Sequence, residues 1–219
     1  MNDLQADQVT DGRPPAALPV ENNRPRVQRL VDELAPVHLE LEPPVREHWT
    51  VSVGGLVARR LELSLADLHE LGAAAFVADF HCVWGWSRPR VNWTGVPTRV
   101  VLDAAGVRPA ATHVRFGAAD SPYASCVTLA QACDGLLATE LEGEPLPPLN
   151  GGPLRWLQPH YLWGYKGVKW LAAIELTDHM DAGPWETKVG DIDGEVPQGL
   201  IDRFAALETV EKATGPADE

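Results

Sequence analysis

The sequence predicts an α+β fold built on mixed β-sheets with short helices, and three observations support that class. Its 219 residues suit one domain with a sizeable core. Apolar residues make up 45% and charged residues 22%, which is typical of a soluble globular protein. Short strand-like and helix-like segments alternate irregularly, without the regular helical crossovers of a doubly wound sheet. A single mixed-sheet domain is therefore expected.

Three regions differ in composition. Residues 1–45 are rich in Pro, Asn, Asp and Arg with weak periodicity, which predicts an arm that is partly disordered or draped over the domain. Residues 46–186 carry the periodic segments and form the predicted domain. Residues 187–219 are rich in acidic side chains and are predicted to be a solvated acidic C-terminal tail.

Local signals bound the elements of the central domain. Ser64 and Asp67 have the spacing of a capping box, which opens a helix that ends near Gly72. Gly106 is a natural stop for a second helix, and Thr128 is a candidate cap for a third. The predicted strands are residues 49–53, 61–63, 73–80, 113–116, 125–129, 136–141, 154–157 and 168–176, and the helices are residues 64–72, 98–105 and 128–133.

Charge and cysteine content exclude several partners. The formal net charge of −13 disfavours nucleic acid and anionic membranes, because both would repel such a surface. Three cysteines with no paired framework favour a reducing compartment. No signal peptide is visible, and no segment approaches the ~18 apolar residues of a membrane span. The predicted location is the cytoplasm.

Cys82 has an unusual setting. It follows a predicted buried strand and runs into Gly85, Trp86 and Pro89, which are expected to end that strand in a turn. A thiol surrounded by aromatic side chains suits a soft metal, which prefers thiolate. A small buried hydrophobe is the alternative, and this segment alone leaves both open. Cys126 and Cys133 lack further metal ligands at local spacing, so they are predicted to be core thiols.

A second group of residues is suited to an anion. The segment 150–153 (Asn-Gly-Gly-Pro) is a rigid loop that leads Arg155 into a strand. Glycine lets the backbone approach a bound group closely, and Arg155 offers a planar fork for phosphate. Lys169, predicted at a strand edge, can add a point charge. An ordinary hairpin turn beside one arginine is the alternative.

Taken in order, these segments resemble a known family. Residues 80–87 (Phe-His-Cys-Val-Trp-Gly-Trp-Ser), 93–97 (Trp-Thr-Gly-Val-Pro) and 151–155 (Gly-Gly-Pro-Leu-Arg) are followed by Lys-Trp, Ile-Glu and Gly-Pro-Trp-Glu. This order is similar to the oxidoreductase molybdopterin-binding domain of the sulfite oxidase superfamily, and most of all to its small cytoplasmic members. The similarity extends over residues 49–185.

The resemblance implies a molybdenum–molybdopterin cofactor and a role for each matching residue. Cys82 would be the single protein ligand to molybdenum, beside the two dithiolene sulfurs of one molybdopterin and terminal oxo groups. His81 could donate to the cofactor, or it could be a satisfied core histidine. The residues that would hold the pterin and its phosphate are Asn150, Arg155, Gly167, Val168 and Lys169, with Gly167 and Val168 contributing mainly backbone amides.

Other residues match substrate-facing positions of the family. Tyr123 matches a tyrosine beside the reactive oxo group, where a phenol can help couple protons to electron transfer. The alternative is an exposed turn tyrosine. Arg88 or Arg90 could bind an oxyanion, or both could be surface residues. The aromatic residues of the loop 159–169 could form a lip that sets substrate choice: His160, Tyr161, Trp163 and Tyr165.

The implied activity is two-electron oxygen-atom transfer on a small oxyanion, S-oxide or N-oxide. A separate electron-transfer partner is expected, because no haem attachment motif is visible, and a monomer is expected because the family's immunoglobulin-like dimerisation domain has no match. An Arg-Asn-His motif of the family also lacks a clear match, residues 22–25 being the nearest. The alternatives are a non-catalytic binding protein that retains this fold and a thiol-based redox protein using Cys82.

Overall fold

The computed structural model describes residues 28–34 and 42–213 and contains two β-sheets flanked by short helices. The strands are β1 (Arg29–Leu30), β2 (Thr50–Gly55), β3 (Leu61–Ser64), β4 (Ala74–Cys82), β5 (Trp86–Pro97), β6 (His113–Ala118), β7 (Ala124–Thr128), β8 (Leu136–Leu141), β9 (Glu144–Pro145), β10 (Arg155–Leu157) and β11 (Leu171–Thr177). The helices are α1 (Leu65–Glu70), α2 (Thr98–Ala105), α3 (Leu129–Cys133), α4 (Pro184–Val189) and α5 (Gln198–Ala213), with 3-10 turns at Pro148–Asn150 and Gly164–Lys166.

Both sheets mix parallel and antiparallel pairs. The first sheet has the order β1-β5-β8-β10, with β4 also on β5 and β9 also on β8, and only its β1–β5 pair is parallel within the described chain. The second sheet has the order β3-β2-β11-β6-β7, in which β2 and β11 are parallel. The predicted α+β class with mixed sheets and short helices is confirmed.

Local capping signals determine where the short helices begin and end. The Ser64 hydroxyl accepts from the Asp67 amide while the Asp67 carboxylate accepts from the Ser64 amide, so the predicted capping box is confirmed. Thr128 and Gln131 form a second reciprocal box at the start of α3. Helix α2 ends at Gly106, whose φ of 73° favours glycine because it has no Cβ.

The predicted turn after Cys82 is much shorter than expected. The chain turns only through residues 83–85 and then re-enters the sheet as the 12-residue strand β5, despite Pro89. The register shifts at Asp79, where the Arg90 amide donates to the Asp79 carboxylate at 2.9 Å and Arg90 has a φ of 51°. A proline is tolerated beside such a bulge, since the ladder is already interrupted there.

Most of the core lies between the two sheets and the short helices. Phe116 of the second sheet stacks on Trp156 of the first, with ring centroids 4.0 Å apart. The buried Trp156 Nε1 donates to the Thr98 hydroxyl at 3.2 Å, which satisfies its only donor. This contact places β10, which carries Arg155, firmly against the sheet behind it.

The C-terminal region differs from the predicted solvated tail. Val196, Leu200 and Phe204 are buried against Trp163 and neighbouring aromatic residues, although the acidic side chains between α4 and α5 are largely exposed. The sequence did not predict the buried apolar side of this region, because acidic residues dominate its composition. We call residues 184–204 the C-terminal cap. No helix in the described ranges is long and apolar enough to cross a membrane.

Part of the predicted arm is draped over the first sheet. Residues 28–34 run beside β5, where the buried Gln28 accepts a hydrogen bond from Ser87 at 3.0 Å. Leu34 packs with Phe80 and Trp93 in a second apolar cluster. The remainder of the predicted arm, including the nearest match to the Arg-Asn-His motif, lies outside the described residues apart from residues 42–45.

Candidate active site

A cavity opens where the end of β4 meets the loops around β10 and β11. Six of the eight predicted site residues line this cavity, and they come from strand ends, 3-10 turns and loops that are separated in the sequence. Cys82 ends β4, Tyr123 precedes β7 and Arg155 begins β10. The others are Asn150 at the end of a 3-10 turn, Gly167 after the next 3-10 turn and Lys169 in the bend before β11. His81 and Val168 do not line the cavity.

Cys82 is a buried thiol at the cavity wall. Burial raises the pKa of Cys82 to about 12, although the Trp84 amide and the charge of Lys169 act in the opposite direction. The described residues contain no group of three His, Cys, Asp or Glu side chains that could enclose a metal ion. The position of Cys82 at the cavity wall allows its sulfur to act as one soft ligand to a bound group.

Arg155 is a buried cation without a carboxylate partner among the described residues. Its side chain is 3% exposed and its guanidinium lies 5.5 Å from the Phe80 ring and 5.3 Å from the Trp93 ring. Nη1 donates to the Asn150 carbonyl at 2.9 Å, while the buried Nε has no partner. Desolvation lowers the pKa of Arg155 to about 10. An anion in the cavity would supply the missing acceptors.

Lys169 adds a second cation to the same cavity. Its Nζ donates to the Leu149 carbonyl at 2.6 Å and has no described carboxylate partner. Burial, followed by repulsion from Arg155, lowers the pKa of Lys169 to about 8. Two partly or fully buried cations that share a cavity favour an anionic ligand such as phosphate.

Gly167 leaves the space that the Arg155 guanidinium occupies. A Cβ there would lie 2.3 Å from Gln158 Oε1 and 3.0 Å from Arg155 Nη2. The Gly167 amide donates to the Gly164 carbonyl and the Val168 amide to the Trp156 carbonyl, so the structure adds no support for the predicted use of these amides by the cofactor. Val168 is a core residue held by this bridge to Trp156.

His81 lies behind the cavity wall. Its Nδ1 is 2.8 Å from the Ser87 hydroxyl oxygen. Because the Ser87 hydroxyl donates its proton to Gln28, His81 Nδ1 is the donor and Ser87 Oγ the acceptor of this hydrogen bond. Burial lowers the pKa of His81 to about 4, and its ring meets Phe204 edge-on at 4.8 Å. Nε2 is buried without a partner among the described residues. This position corresponds to a core histidine and does not support the predicted contact with the cofactor.

Tyr123 lies at the cavity, which excludes the exposed turn tyrosine. Its hydroxyl donates to the Tyr165 carbonyl at 2.5 Å. Burial, followed by the charge of Glu186, raises the pKa of Tyr123, so the phenol stays protonated. Arg155 acts in the opposite direction. A neutral phenol beside a cation can orient a polar oxygen of a ligand.

Aromatic side chains make up most of the remaining wall. Four tryptophans of the wall were not predicted as site residues, although all four lie in the segments that carry the family resemblance: Trp84, Trp86, Trp170 and Trp185. Of the predicted lip, only Tyr165 reaches the cavity.

The other polar residues proposed for substrate contact lie elsewhere. Tyr161 donates to Asp134 at 2.7 Å, and Arg88 pairs with Glu142 at 2.6 Å. Neither Arg88 nor Arg90 lines the cavity, so the predicted oxyanion contact is not supported.

Together, the fold and the cavity define a protein with a binding pocket for an anionic group beside a single buried thiol. The chain belongs to the oxidoreductase molybdopterin-binding domain family, whose model matches residues 38–185. The predicted family and the predicted oxidoreductase class are thereby confirmed.

Several relatives show how far the similarity extends. The chain is 37% identical over 141 residues to the uncharacterized oxidoreductase YuiH of Bacillus subtilis, covering 63% of this chain and 70% of that protein. It is 32% identical over 162 residues to the protein-methionine-sulfoxide reductase catalytic subunit MsrP of Gluconobacter oxydans, covering 65% of this chain and 51% of that protein. The chain therefore spans about half the length of that reductase subunit.

A solved structure has the same fold. The sulfane dehydrogenase SoxCD from Paracoccus pantotrophus superposes with a TM-score of 0.55 over 60% of this chain and 38% of that chain. Sequence identity is 23%, so this likeness shows the fold alone.

Proposed function

We propose that this protein is a molybdenum–molybdopterin-dependent oxidoreductase that moves one oxygen atom and two electrons per turnover. The observation that carries the proposal is the buried Cys82 thiol sharing one cavity with Arg155 and Lys169, which lack described carboxylate partners. Bound there, the cofactor supplies a two-electron redox centre and a transferable oxygen atom. The residues fit such a group because a thiol, two cations and a glycine-lined space meet in one place.

Each lining residue has a proposed task. Cys82 provides the sulfur ligand, and Arg155 and Lys169 neutralise the phosphate of the cofactor. Asn150 supports Arg155 through its carbonyl and holds the draped segment by donating from Nδ2 to the Leu34 carbonyl at 3.3 Å. Asn150 thus connects Arg155 at the cavity to the segment that contains Leu34.

Tyr123 is the proposed substrate-facing residue. Its hydroxyl proton is held by the Tyr165 carbonyl, so the phenolic oxygen stays at a fixed position in the wall. To orient a substrate oxygen or relay a proton during turnover, the hydroxyl would turn its one proton from the Tyr165 carbonyl towards the substrate. This role predicts a loss of kcat when the hydroxyl is removed.

The cavity favours a neutral organic substrate over an inorganic oxyanion. Apart from Arg155 and Lys169, which are assigned to the cofactor, no described lining residue carries a positive charge. The wall beyond them is dominated by tryptophan, tyrosine and leucine side chains, which suit apolar substituents. A relative named as a methionine-sulfoxide reductase agrees with this substrate class. Reduction of an S-oxide takes two electrons and two protons, breaks the S–O bond and releases water.

A separate protein is the proposed electron source, acting on a monomeric chain in the cytoplasm. The related MsrP is named as a catalytic subunit, which supports a division between catalysis and electron supply. The thiol-based alternative is disfavoured, since the Cys82 pKa of about 12 leaves little thiolate near neutral pH.

The decisive experiment measures molybdenum and pterin per chain after production in a cofactor-competent host. The loaded protein is then assayed with a reduced viologen dye and methyl phenyl sulfoxide or trimethylamine N-oxide, and in the oxidative direction with sulfite. Near-stoichiometric metal with faster sulfoxide or N-oxide turnover supports the proposal. A chain that stays empty contradicts the cofactor assignment, and preferential sulfite oxidation contradicts the substrate class. A loaded chain that turns over none of them supports the non-catalytic binding alternative.

A further inference from the structure

A second lysine, Lys166, lies between the lining residues Tyr165 and Gly167 but does not itself line the cavity. Lys166 is 0% exposed, and its ammonium uses all three donors. Nζ donates to the Cys126 carbonyl at 2.8 Å, to Glu186 Oε1 at 2.9 Å and to the Ile192 carbonyl at 2.7 Å. These acceptors belong to β7, to α4 and to the loop after α4. One side chain thus joins three separate segments of the molecule.

Glu186 extends this network on the side of the cap. It is buried, and its Oε1 also accepts from the Ser125 hydroxyl at 2.7 Å. Gly183 allows the approach of α4, because a Cβ there would lie 1.9 Å from the Ala124 carbonyl oxygen and 2.6 Å from Glu186 Oε2. Helix α4 is therefore held against β7 by a close backbone contact and by a buried ion pair.

The network lies directly behind the cavity wall. Tyr165, which precedes Lys166, and Trp185, which precedes Glu186, both line the cavity. The Tyr165 carbonyl is the acceptor for the Tyr123 hydroxyl. Displacement of Lys166 would consequently reach Tyr165 through one peptide bond, and Trp185 through the ion pair with Glu186 and the peptide bond that follows Trp185.

We propose that Lys166 is a positioning residue for the active site: its three hydrogen bonds hold the C-terminal cap so that Trp185 covers the cavity and the Tyr165 carbonyl keeps its contact with Tyr123. Stability alone is a weak reason for a buried ion pair, because apolar residues often replace such pairs without loss. Three acceptors on three segments give the lysine a geometric task that an apolar side chain lacks. The kinetic consequences rest on the proposed function, whereas the effect on the cap does not.

The test uses Lys166→Met, which keeps the length of the side chain and removes its donors. In the cofactor-free protein, release of the cap should raise the rate at which iodoacetamide alkylates Cys82 by on the order of tenfold, as expected for local opening. Peptide mass spectrometry separates Cys82 from Cys133, which is partly exposed and serves as the internal reference. Leu68→Ala, a truncation in the buried face of α1, is the control for general loss of stability.

The expected result is faster alkylation of Cys82 in Lys166→Met alone, with Cys133 unchanged in both variants. In the loaded enzyme, the same variant should keep its molybdenum while kcat falls and KM rises. Should Lys166→Met not fold, Ser125→Ala removes one donor to Glu186 and should give the same pattern more weakly.

Two results would overturn the positioning role. One is a folded Lys166→Met protein, or a folded Ser125→Ala protein in its place, whose Cys82 reacts at the wild-type rate. The other is an equal increase in Leu68→Ala at a matching loss of Tm. Wild-type protein without molybdenum would instead defeat the proposed function and leave the alkylation result valid.

Discussion

Replacing Lys169 with Met should stabilise the cofactor-free protein, and the gain should depend on pH. The Lys169 ammonium is partly buried beside Arg155, and the pKa of Lys169 falls from 10.5 to about 8. At neutral pH Lys169 is charged in both the folded and the unfolded chain, but its charge is unfavourable only in the folded chain, where it is partly buried beside Arg155. A cofactor phosphate would relieve this cost, but the free protein cannot.

The lowered pKa of Lys169 determines how much the Met substitution should change the free energy of unfolding, and in which direction. Each pKa unit corresponds to about 1.4 kcal/mol, and discounting for the solvent that still reaches Lys169 leaves about 2–3 kcal/mol. Because the folded pKa is depressed, the penalty is complete below about pH 8 and disappears as the pH rises towards 10.5, the unfolded value. The variant loses a hydrogen bond to Leu149, worth about 1 kcal/mol. A net gain of about 1–2 kcal/mol is expected at about pH 7.

Urea unfolding at several pH values between about 7 and 10 measures this difference. The parent and the Lys169→Met protein should both carry Cys82→Ser, since the thiol of the unfolded chain, with an ordinary pKa of 9.0, titrates in this range and the folded thiol interacts with Lys169. The eight tryptophans provide the fluorescence signal. Inorganic pyrophosphate should raise the stability of the parent more than that of Lys169→Met, because the anion pairs with the ammonium.

A stability difference that stays constant across this pH range would refute the reasoning. So would a Lys169→Met variant that becomes relatively more stable as the pH rises, because this is the opposite sign. Equal stabilisation of both proteins by pyrophosphate would show that the anion binds elsewhere.

Three further substitutions test individual residues of the site. Cys82→Ser should retain pterin, measured by fluorescence after oxidation, while its molybdenum content falls; unchanged metal would contradict the ligand assignment. Tyr123→Phe should lower kcat by about 10- to 100-fold at unchanged molybdenum, because it removes only the hydroxyl, and a wild-type kcat would leave that hydroxyl without a catalytic task. Gly167→Ala should lower cofactor occupancy and cost about 1–3 kcal/mol in urea unfolding, since its Cβ would lie 2.3 Å from the buried Gln158 Oε1. Gly54→Ala is the matched control, because no atom lies within 4 Å of that Cβ, and equal losses in both variants would contradict the steric argument.

Short-range signals made much of the fold predictable. The helix at Thr98–Ala105 was predicted to the residue, since its stop at Gly106 depends on local backbone geometry alone. Strand β5 was not predicted, because Gly85 and Pro89 near its start and Gly95 and Pro97 near its end usually break strands. The bulge at Asp79 that accommodates Pro89 depends on pairing with another strand, and that information is absent from the local sequence.

The site was predictable where a side chain, and not a backbone group, performs the chemistry. Cys82, Arg155 and Lys169 all line the cavity, as their residue types suggested. The bond from the Val168 amide to the Trp156 carbonyl was not predictable, because it depends on the packing of two segments of the chain. Trp185 was overlooked because it leads into a segment whose acidic composition suggested solvent.

The parallel pair of β2 and β11 has a consequence for how the protein is made. The first strand of the domain and the last are neighbours in one sheet, and the contact between Trp49 and the Leu171 carbonyl joins positions 122 residues apart. During synthesis, β2 can pair with β3 as soon as both are made, but its pairing with β11 must wait until β11 has left the ribosome, so this sheet closes late. The bend that carries Lys169 leads directly into β11. A group held by both Cys82 and Lys169 can therefore bind only after nearly the whole domain has been synthesised.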